Sequence, residues 1–265
     1  MAVIIDNLKM EKCDYEYLKK YIKDYYINNS IIVESFWEGH IRESNFYKIF
    51  TEDDIIGYFA IHKETVLVLF YVFEKYRNIS QELFSNIKKF ESVKEALIPT
   101  GDEFFISHAF DNYTKIEKQA YFSIYTEKKP KKIIDIELHL ADTKKDIEIL
   151  KLCHDFLREE IDNIENKKGI IDEEIYIVKH KNNIIGFGII DYQKIIDIYA
   201  STGMIVREEF RQKGYGANIL HCLKNIVESK GKQALSGCWY YNHNSKKTME
   251  SAGAYSKTRL MRFYF

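Results

Sequence analysis

Two glycines directly follow three side chains that can donate hydrogen bonds in residues 207–218, REEFRQKGYGAN. Arg211, Gln212 and Lys213 precede Gly214 and Gly216. Glycine adopts backbone conformations that are closed to other residues, so successive N–H groups can point into one concavity. The segment therefore predicts a site that holds a phosphate or pyrophosphate. The alternative is a tight turn whose charges face water.

The elements on either side of the two glycines favour the anion site. Ile205 and Val206 end a predicted strand, and residues 217–230 have the spacing of an amphipathic helix. A helix that begins here adds its free N–H groups and the positive end of its dipole. We expect a strand–turn–helix unit with an anion at the turn.

Two familiar phosphate loops do not fit this segment. A P-loop requires Lys-Ser/Thr after its second glycine, but Ala217 and Asn218 follow here. A dinucleotide fingerprint requires a third glycine where Ile219 stands, and it usually opens the first βαβ unit. The turn therefore predicts some other phosphate-containing ligand.

The rest of the second half predicts the elements that position the turn. Hairpins mix with crossovers, which favours an α/β fold of the α+β type with a mixed sheet over a doubly wound parallel one. The predicted strands are 133–140, 171–180, 183–191, 197–206, 233–241 and 255–265, and the predicted helices are 144–160, 217–230 and 244–252.

The two halves of the chain repeat one pattern. Ile-Ile-Gly-aromatic occurs at Gly57 and at Gly186, and each copy continues through a second apolar run to an arginine, Arg77 or Arg211. An amphipathic helical pattern follows each arginine. We interpret this as a tandem arrangement of two related α/β units. After Arg77 the sequence reads NISQELF, without glycine, so only the second unit is expected to bind the anion.

The boundary between the halves is predicted at 126–133, TEKKPKKI, a short basic stretch with one of the two prolines. It divides the chain into domains at 1–128 and 133–265, which are ordinary domain sizes. The formal net charge is −1, so no overall field attracts nucleic acid or an anionic membrane. Neither partner is expected.

Composition predicts a cytoplasmic protein. The N-terminal residues carry charges where a signal peptide requires an apolar run, and no apolar run approaches the roughly 20 residues of a membrane span. The cysteines have no disulfide or metal spacing, and no metal site is expected. They are Cys13, Cys153, Cys222 and Cys238.

Residues 203–220, GMIVREEFRQKGYGANIL, resemble the signature of the GNAT superfamily of acyl-CoA-dependent N-acetyltransferases. The family pattern, an apolar strand and then Arg/Gln-x-x-Gly-x-Gly/Ala at the start of a helix, is met by Arg211, Gly214 and Gly216. Residues 238–255, CWYYNHNSKKTMESAGAY, resemble a second family element that has Asn242, Ser245 and Gly253. The resemblance covers about residues 133–265, and the first half looks like a degenerate copy.

This resemblance implies acetyl-CoA as co-substrate and a small-molecule or peptide amine as acceptor. Backbone groups of Met204, Ile205 and Val206 would pair with the pantetheine arm, and Asn242 and Ser245 would lie beside it. Lys246 or Lys247 could reach the nucleotide phosphate, unless both are solvated. The pyrophosphate would be held by N–H groups of Arg211, Gln212, Lys213, Gly214, Tyr215, Gly216 and Ala217.

The sequence departs from the family at the residue that often protonates the leaving thiolate. That position holds Met249, which cannot donate a proton. Tyr240, Tyr241 and Tyr255 are nearby candidates for the catalytic acid, but packing roles are an open alternative. The rivals are an acyl-CoA-binding or sensing protein without catalysis and a nucleotide-phosphate-binding protein. The oligomeric state stays open.

One acidic segment, residues 155–168, falls where the family lines its acceptor pocket, and its carboxylates would favour a cationic amine. A solvated helix face is the alternative. Its acidic residues include Asp155, Glu159, Glu160, Asp162 and Glu165.

Overall fold

The computed structural model describes residues 8–52, 54–89, 93–142, 145–153, 156–158, 161–162 and 173–265. The chain divides into two compact units. Unit 1 contains residues 1–120 and 258–265, and unit 2 contains residues 121–257.

Unit 1 is a sheet with helices. Strands β1 to β4 form an antiparallel series, and β5 pairs in parallel with β4. The elements are β1 (Lys9–Cys13), α1 (Tyr15–Asn28), α2 (Ser35–Arg42), β2 (Asn45–Phe50), β3 (Ile55–His62), β4 (Val66–Val72), a 3₁₀ turn (Glu74–Ile79), α3 (Ser80–Lys89), β5 (Glu95–Pro99), α4 (Glu103–Phe110) and β6 (Lys115–Tyr125), whose last residues belong to unit 2.

Unit 2 repeats this order. Strands β7 to β10 form an antiparallel series, and β11 pairs in parallel with β10. The elements are β7 (Glu137–Leu140), α5 (Ile147–Leu150) with a 3₁₀ turn (Lys151–Cys153), β8 (Glu174–His180), β9 (Asn183–Tyr192), β10 (Tyr199–Val206), a 3₁₀ turn (Glu208–Phe210), α6 (Tyr215–Ser229), β11 (Gln233–Trp239), α7 (His243–Ser251) and β12 (Ala254–Tyr264), whose last residues belong to unit 1.

The matching order of strands and helices confirms the mixed α/β fold and the tandem arrangement of two related units. The repeated glycine has the same physical reason in both. A Cβ atom on Gly57 would lie 2.3 Å from the Tyr71 carbonyl oxygen, and one on Gly186 would lie 2.1 Å from the Ile205 carbonyl oxygen. In each unit the neighbouring strand approaches so closely that only glycine fits.

The predicted ends of elements differ from the observed ones by a few residues in most cases. The exception is the predicted helix 144–160, where the described residues form the short helix α5 and a 3₁₀ turn, and helical backbone again at Arg158. Residues 143–144, 154–155 and 159–160 lie outside the described residues.

The units do not divide at the predicted boundary. Residues 126–133 lie wholly inside unit 2, and residues 258–265 belong to unit 1 because β12 pairs antiparallel with β5. A boundary predicted from local composition takes no account of strand pairing between distant residues. Leu260, for example, pairs with Pro99.

One buried carboxyl group of unit 1 has a perturbed pKa. Asp102 begins α4, is 1% exposed, and accepts hydrogen bonds from the Tyr25 hydroxyl at 2.6 Å and the Phe105 N–H at 3.1 Å. Burial raises its pKa to about 6, against the smaller opposing effect of these two hydrogen bonds.

Candidate functional site

Strands β10 and β11 separate along their length. The parallel ladder joins residues 199–201 to residues 233–235, but β10 continues to Val206 and β11 continues to Trp239. Backbone groups in a separated stretch of parallel strands can pair with an extended ligand instead of with each other. The separation places the last residues of β10 where the sequence predicted contacts with a linear arm.

The glycine turn follows β10 after a short 3₁₀ turn. Gln212 and Gly214 have φ values of 61° and 89°, both in the left-handed region. Gly214 is the residue before α6 and has no side chain to cap it. The first N–H groups of α6 therefore remain available to an anion, together with the positive end of the helix dipole.

A cleft of about 520 Å³ lies at the turn, between the end of β10 and the helices α6 and α7. Every cofactor-binding residue predicted from the sequence lines it, except Lys213. The lining residues are Met204, Ile205, Val206, Phe210, Arg211, Gln212, Gly214, Tyr215, Gly216, Ala217, Asn242, Asn244, Ser245, Lys247, Thr248 and Ser251. We call this space the turn cleft.

The cationic side chains of the turn have different roles from those that their charge suggested. The Nε of Arg211 donates to the Val206 carbonyl oxygen at 3.0 Å, which ties the turn to the end of β10. The Nζ of Lys213 donates to the Glu209 carbonyl oxygen at 2.9 Å and lies 5.6 Å from the centre of the Phe210 ring. Lys213 therefore braces the preceding 3₁₀ turn.

The two family-like residues of α7 have a clear local role. The Oδ1 of Asn242 accepts from the Ser245 backbone N–H at 3.1 Å, so Asn242 caps the first turn of the helix. This cap fixes the start of α7 at the rim of the turn cleft.

The second glycine of the turn lies in a tightly packed position. A Cβ atom on Gly216 would lie 2.9 Å from Cγ2 of Thr248 and 3.2 Å from Cε of Met204. Helix α6 therefore begins in close contact with both α7 and β10.

None of the candidate catalytic acids lies in the turn cleft. Tyr240 stacks on Tyr121 with 4.6 Å between ring centres. The ring centres of Tyr241 and Trp239 are 5.0 Å apart. Tyr255 is 48% exposed. Among the described residues, these three are not part of the lining.

Met249, at the position of the family's usual acid, is buried rather than turned to the turn cleft. It is 4% exposed and packs in a cluster with Ala217, Leu220, Ala252 and Ala254. The residue belongs to the core between α6 and α7.

A buried group of hydroxyls lies where β10 and β11 separate. The Tyr125 hydroxyl is 2.6 Å from Oγ of Ser236 and 3.1 Å from Oγ1 of Thr202. Thr202 donates to the Leu235 carbonyl oxygen and Ser236 to the Thr202 carbonyl oxygen, at 2.8 and 2.9 Å. With both of those protons used in this way, the single proton of the Tyr125 hydroxyl is left for the nearer partner, Oγ of Ser236. Burial raises its pKa.

This hydroxyl cluster replaces the backbone ladder at the point where the ladder ends. It satisfies carbonyl groups that the separation of the strands would otherwise leave without donors. No periodic pattern or motif indicates this cluster, since its members come from three different strands.

Asn218 has a structural role that no sequence motif indicates. It is 3% exposed, and its amide nitrogen donates to the carbonyl oxygens of Lys132 and Gly214, both at 3.0 Å. Its Oδ1 accepts from the Ile134 N–H at 2.9 Å. Asn218 therefore joins the segment before β7 to the glycine turn.

The described lining of the turn cleft contains no carboxylate and no histidine. Of the acidic residues that the sequence suggested for an acceptor pocket, Asp155, Glu159, Glu160 and Glu165 lie outside the described residues. The described parts of the chain contain no group of three His, Cys, Asp or Glu side chains arranged to hold a metal. They also contain no helix that is long and apolar enough to cross a membrane.

Unit 1 has a different structure at the equivalent position. Its 3₁₀ turn, Glu74–Ile79, runs directly into α3 at Ser80. The guanidinium of Arg77 lies over the rings of Tyr71 and Phe104, at 5.9 and 5.3 Å from their centres. Arg77 thus packs against aromatic rings, and continuous helical backbone takes the place of the glycine turn.

Comparison with known families identifies the fold. Residues 14–126 match the family described as "Acetyltransferase (GNAT) domain". The match lies in the first half of the chain, whereas the glycine turn lies in the second. No curated protein matches the sequence.

Solved structures share the fold over nearly the whole chain. A GNAT-family acetyltransferase from Colwellia psychrerythraea is 20% identical, with a TM-score of 0.82 over 97% of this chain and 99% of that one. A GCN5-related N-acetyltransferase from Sphaerobacter thermophilus is 11% identical, with a TM-score of 0.62 over 99% and 97%.

A tandem GNAT protein from the clavulanic acid biosynthesis pathway is 9% identical, with a TM-score of 0.59 over 97% of this chain and 98% of that one. The family match shows similarity to a GNAT domain in the first half, and these structures show that the chain shares the fold of tandem GNAT proteins over nearly its whole length.

Proposed function

We propose that this protein is an acetyl-CoA-dependent N-acetyltransferase that transfers an acetyl group to a primary amine. Unit 2 binds the acetyl-CoA, and unit 1 is a related module without a cofactor turn. The observation that carries this proposal is the turn cleft, which joins an open strand edge to an uncapped helix start within about 520 Å³.

The residues of unit 2 fit the parts of acetyl-CoA in order. The N–H groups at Gly214, Tyr215 and Gly216 suit a pyrophosphate, because they are oriented at a helix start. The free edge of β10 at Met204 to Val206 suits the amides of a pantetheine arm. The bound molecule would supply an activated thioester.

The protein accelerates the reaction mainly by positioning the amine and the thioester, and less by acid–base catalysis. Alignment of an amine with a thioester lowers the barrier because translational and rotational freedom is lost on binding, before the reaction. The described lining has neither a carboxylate nor a histidine, so we propose that water removes the amine proton. Tyr215, Ser245, Thr248 and Ser251 are the hydroxyl-bearing residues of the lining.

A thermal-unfolding assay with acetyl-CoA, CoA and ATP tests the cofactor. A ligand at 100 times its dissociation constant adds about 2.7 kcal/mol of stability, which raises the Tm by several degrees. The wild-type Tm should rise with acetyl-CoA and with CoA, and change little with ATP.

Gly214→Trp should abolish the acetyl-CoA response. Gly231→Trp is the matched control, because Gly231 also has a left-handed φ, 72°, and follows the other end of the same helix. It carries a similar backbone strain and should keep the response. No response in folded wild-type protein would contradict the proposal. Release of CoA in the presence of a panel of amines then tests catalysis.

A second candidate is an acyl-CoA-binding protein without catalysis. The observation in its favour is the buried position of Met249, together with the lack of an acid in the described lining. Binding of acetyl-CoA with no turnover of any amine would support this candidate over the enzyme.

A further inference from the structure

The hydroxyl cluster of Tyr125, Thr202 and Ser236 closes the inner end of the gap between β10 and β11. The parallel ladder stops at Ser201 and Leu235, and Thr202 and Ser236 are the next residues along the two strands. Tyr125, the last residue of β6, adds its hydroxyl from a third strand. The turn cleft lies at the other end of the same gap. A ligand that follows β10 inward from the turn cleft would therefore end at the cluster.

Strand β10 connects the hydroxyl cluster with the turn cleft. Met204 and Val206 line the cleft, and Thr202 is the next residue on the same face of the strand, because side chains alternate. At about 3.3 Å per residue, Thr202 lies roughly 13 Å from Val206. Met204 and Tyr125 also pack against one buried cluster, which contains Met249. The reacting end of an extended ligand whose phosphates lie at the glycine turn is therefore expected beside Tyr125.

One of the three hydroxyl protons of the cluster can turn to a ligand at little cost. Thr202 and Ser236 donate theirs to the carbonyl oxygens of Leu235 and Thr202, which belong to the backbone where the strands separate. The Tyr125 proton goes to the Ser236 hydroxyl, which keeps a hydrogen bond of its own when that proton turns away. A hydroxyl hydrogen rotates to suit its partner. Tyr125 is therefore the donor of the cluster that a ligand can use.

From this placement we infer that Tyr125 is a catalytic residue, whose hydroxyl donates a hydrogen bond to the thioester sulfur as the C–S bond breaks. It acts in place of the acid that Met249 cannot supply. The inference rests on the proposed function. The amine nitrogen forms the new bond to the acyl carbon, and the electron pair of the C–S bond goes to sulfur. The amine loses its proton to water, and the sulfur leaves as a thiolate that takes a proton from water.

The buried position of Tyr125 suits a donor of hydrogen bonds better than a donor of protons. Burial raises its pKa, so the phenol keeps its proton throughout the reaction. A fixed donor aimed at a charge that develops only as the bond breaks lowers the barrier. The same hydrogen bond should make the thiol of bound CoA easier to ionise, because it stabilises the thiolate more than the thiol.

The ionisation of the thiol of bound CoA tests the inference without an acceptor amine. The ultraviolet absorbance of the thiolate is followed against pH, as the difference between the CoA complex and the protein alone. The acid dissociation constant of the bound thiol should fall about tenfold in Tyr125→Phe, since a hydrogen bond to a charged group is lost. Tyr255→Phe, at an exposed phenol, is the matched control and should keep the wild-type value. With any amine that supports turnover, Tyr125→Phe should also lower kcat about tenfold and leave the KM for acetyl-CoA within about twofold.

A second variant separates this role from simple support of the fold. Ser236→Ala disturbs the same cluster but keeps the Tyr125 proton, so the bound thiol should ionise at least as readily as in wild type. Wild-type ionisation in folded Tyr125→Phe, or a constant in Ser236→Ala as low as the one expected for Tyr125→Phe, would overturn the inference and leave the proposed function standing. If calorimetry detects no binding of CoA to folded wild type, both proposals fail.

Discussion

Replacement of Asn218 by leucine tests whether one buried amide holds the glycine turn. Leucine has a similar volume but forms none of the three hydrogen bonds to Lys132, Gly214 and Ile134. Each buried partner left without its bond costs about 1 kcal/mol or more, so the free energy of unfolding should fall by about 3 kcal/mol. This change lowers the Tm by roughly 6–12 °C.

Calorimetry measures this loss, and Asn183→Leu is the control. Asn183 is exposed and its amide donates one hydrogen bond, to the Lys181 carbonyl oxygen at 3.2 Å. Its replacement should cost less than about 1 kcal/mol. Two results would refute the reasoning. One is a loss in Asn218→Leu no larger than in the control, and the other is an unchanged rise in Tm with acetyl-CoA.

Three further predictions concern other parts of the chain. Asp102→Asn should remove a pH dependence of the free energy of unfolding. In wild type, the pKa of about 6 keeps Asp102 protonated in the folded protein at pH values where the unfolded residue is ionised. Wild-type stability therefore falls by about 3 kcal/mol as the pH rises from about 4 to above 6. Urea unfolding at several pH values measures this, and parallel profiles for the two proteins would exclude it. Tyr125→Phe removes the donor to Ser236 and the contact with Thr202 inside a buried group, and it should cost about 2 kcal/mol in urea unfolding. Tyr255→Phe, at an exposed phenol, should cost under about 0.5 kcal/mol, and equal losses in the two variants would argue against the hydroxyl cluster. Gly186→Ala should lower the free energy of unfolding by about 3 kcal/mol, because the new Cβ would clash with a backbone oxygen. Gly188→Ala should cost less, because its Cβ would contact the end of the Leu223 side chain, which can move. The reverse order would contradict the strand packing.

The parts of the fold that the sequence predicted are those with local signals. The repeated Ile-Ile-Gly-aromatic pattern marks the same close approach of strands in both units, at Gly57 and Gly186. The two glycines of the turn and the asparagine cap of α7 are short motifs with their own backbone requirements. Such requirements act over a few residues and are therefore visible in a sequence.

The parts that could not be predicted depend on residues far apart in the chain. The pairing of Leu260 with Pro99 joins positions that no local pattern relates. The carbonyl groups that Asn218 binds come together only in the fold, which brings residue 132 next to the glycine turn. The motif spacing aligns Met249 with a catalytic position. Its burial against Ala217 could not be predicted, because it depends on how two helices pack together.

The division of the chain has a consequence for synthesis on the ribosome. The residues of unit 2 are consecutive, whereas unit 1 needs residues 258–265 to supply the partner of β5. At about 5–20 residues per second, that partner follows residue 120 by roughly 7–30 s. Throughout this interval, β5 of the nascent chain has an unpaired edge that other extended chains can join. The unit that is translated first is thus completed last, and its exposed strand edge is a point where chaperones can protect the nascent chain.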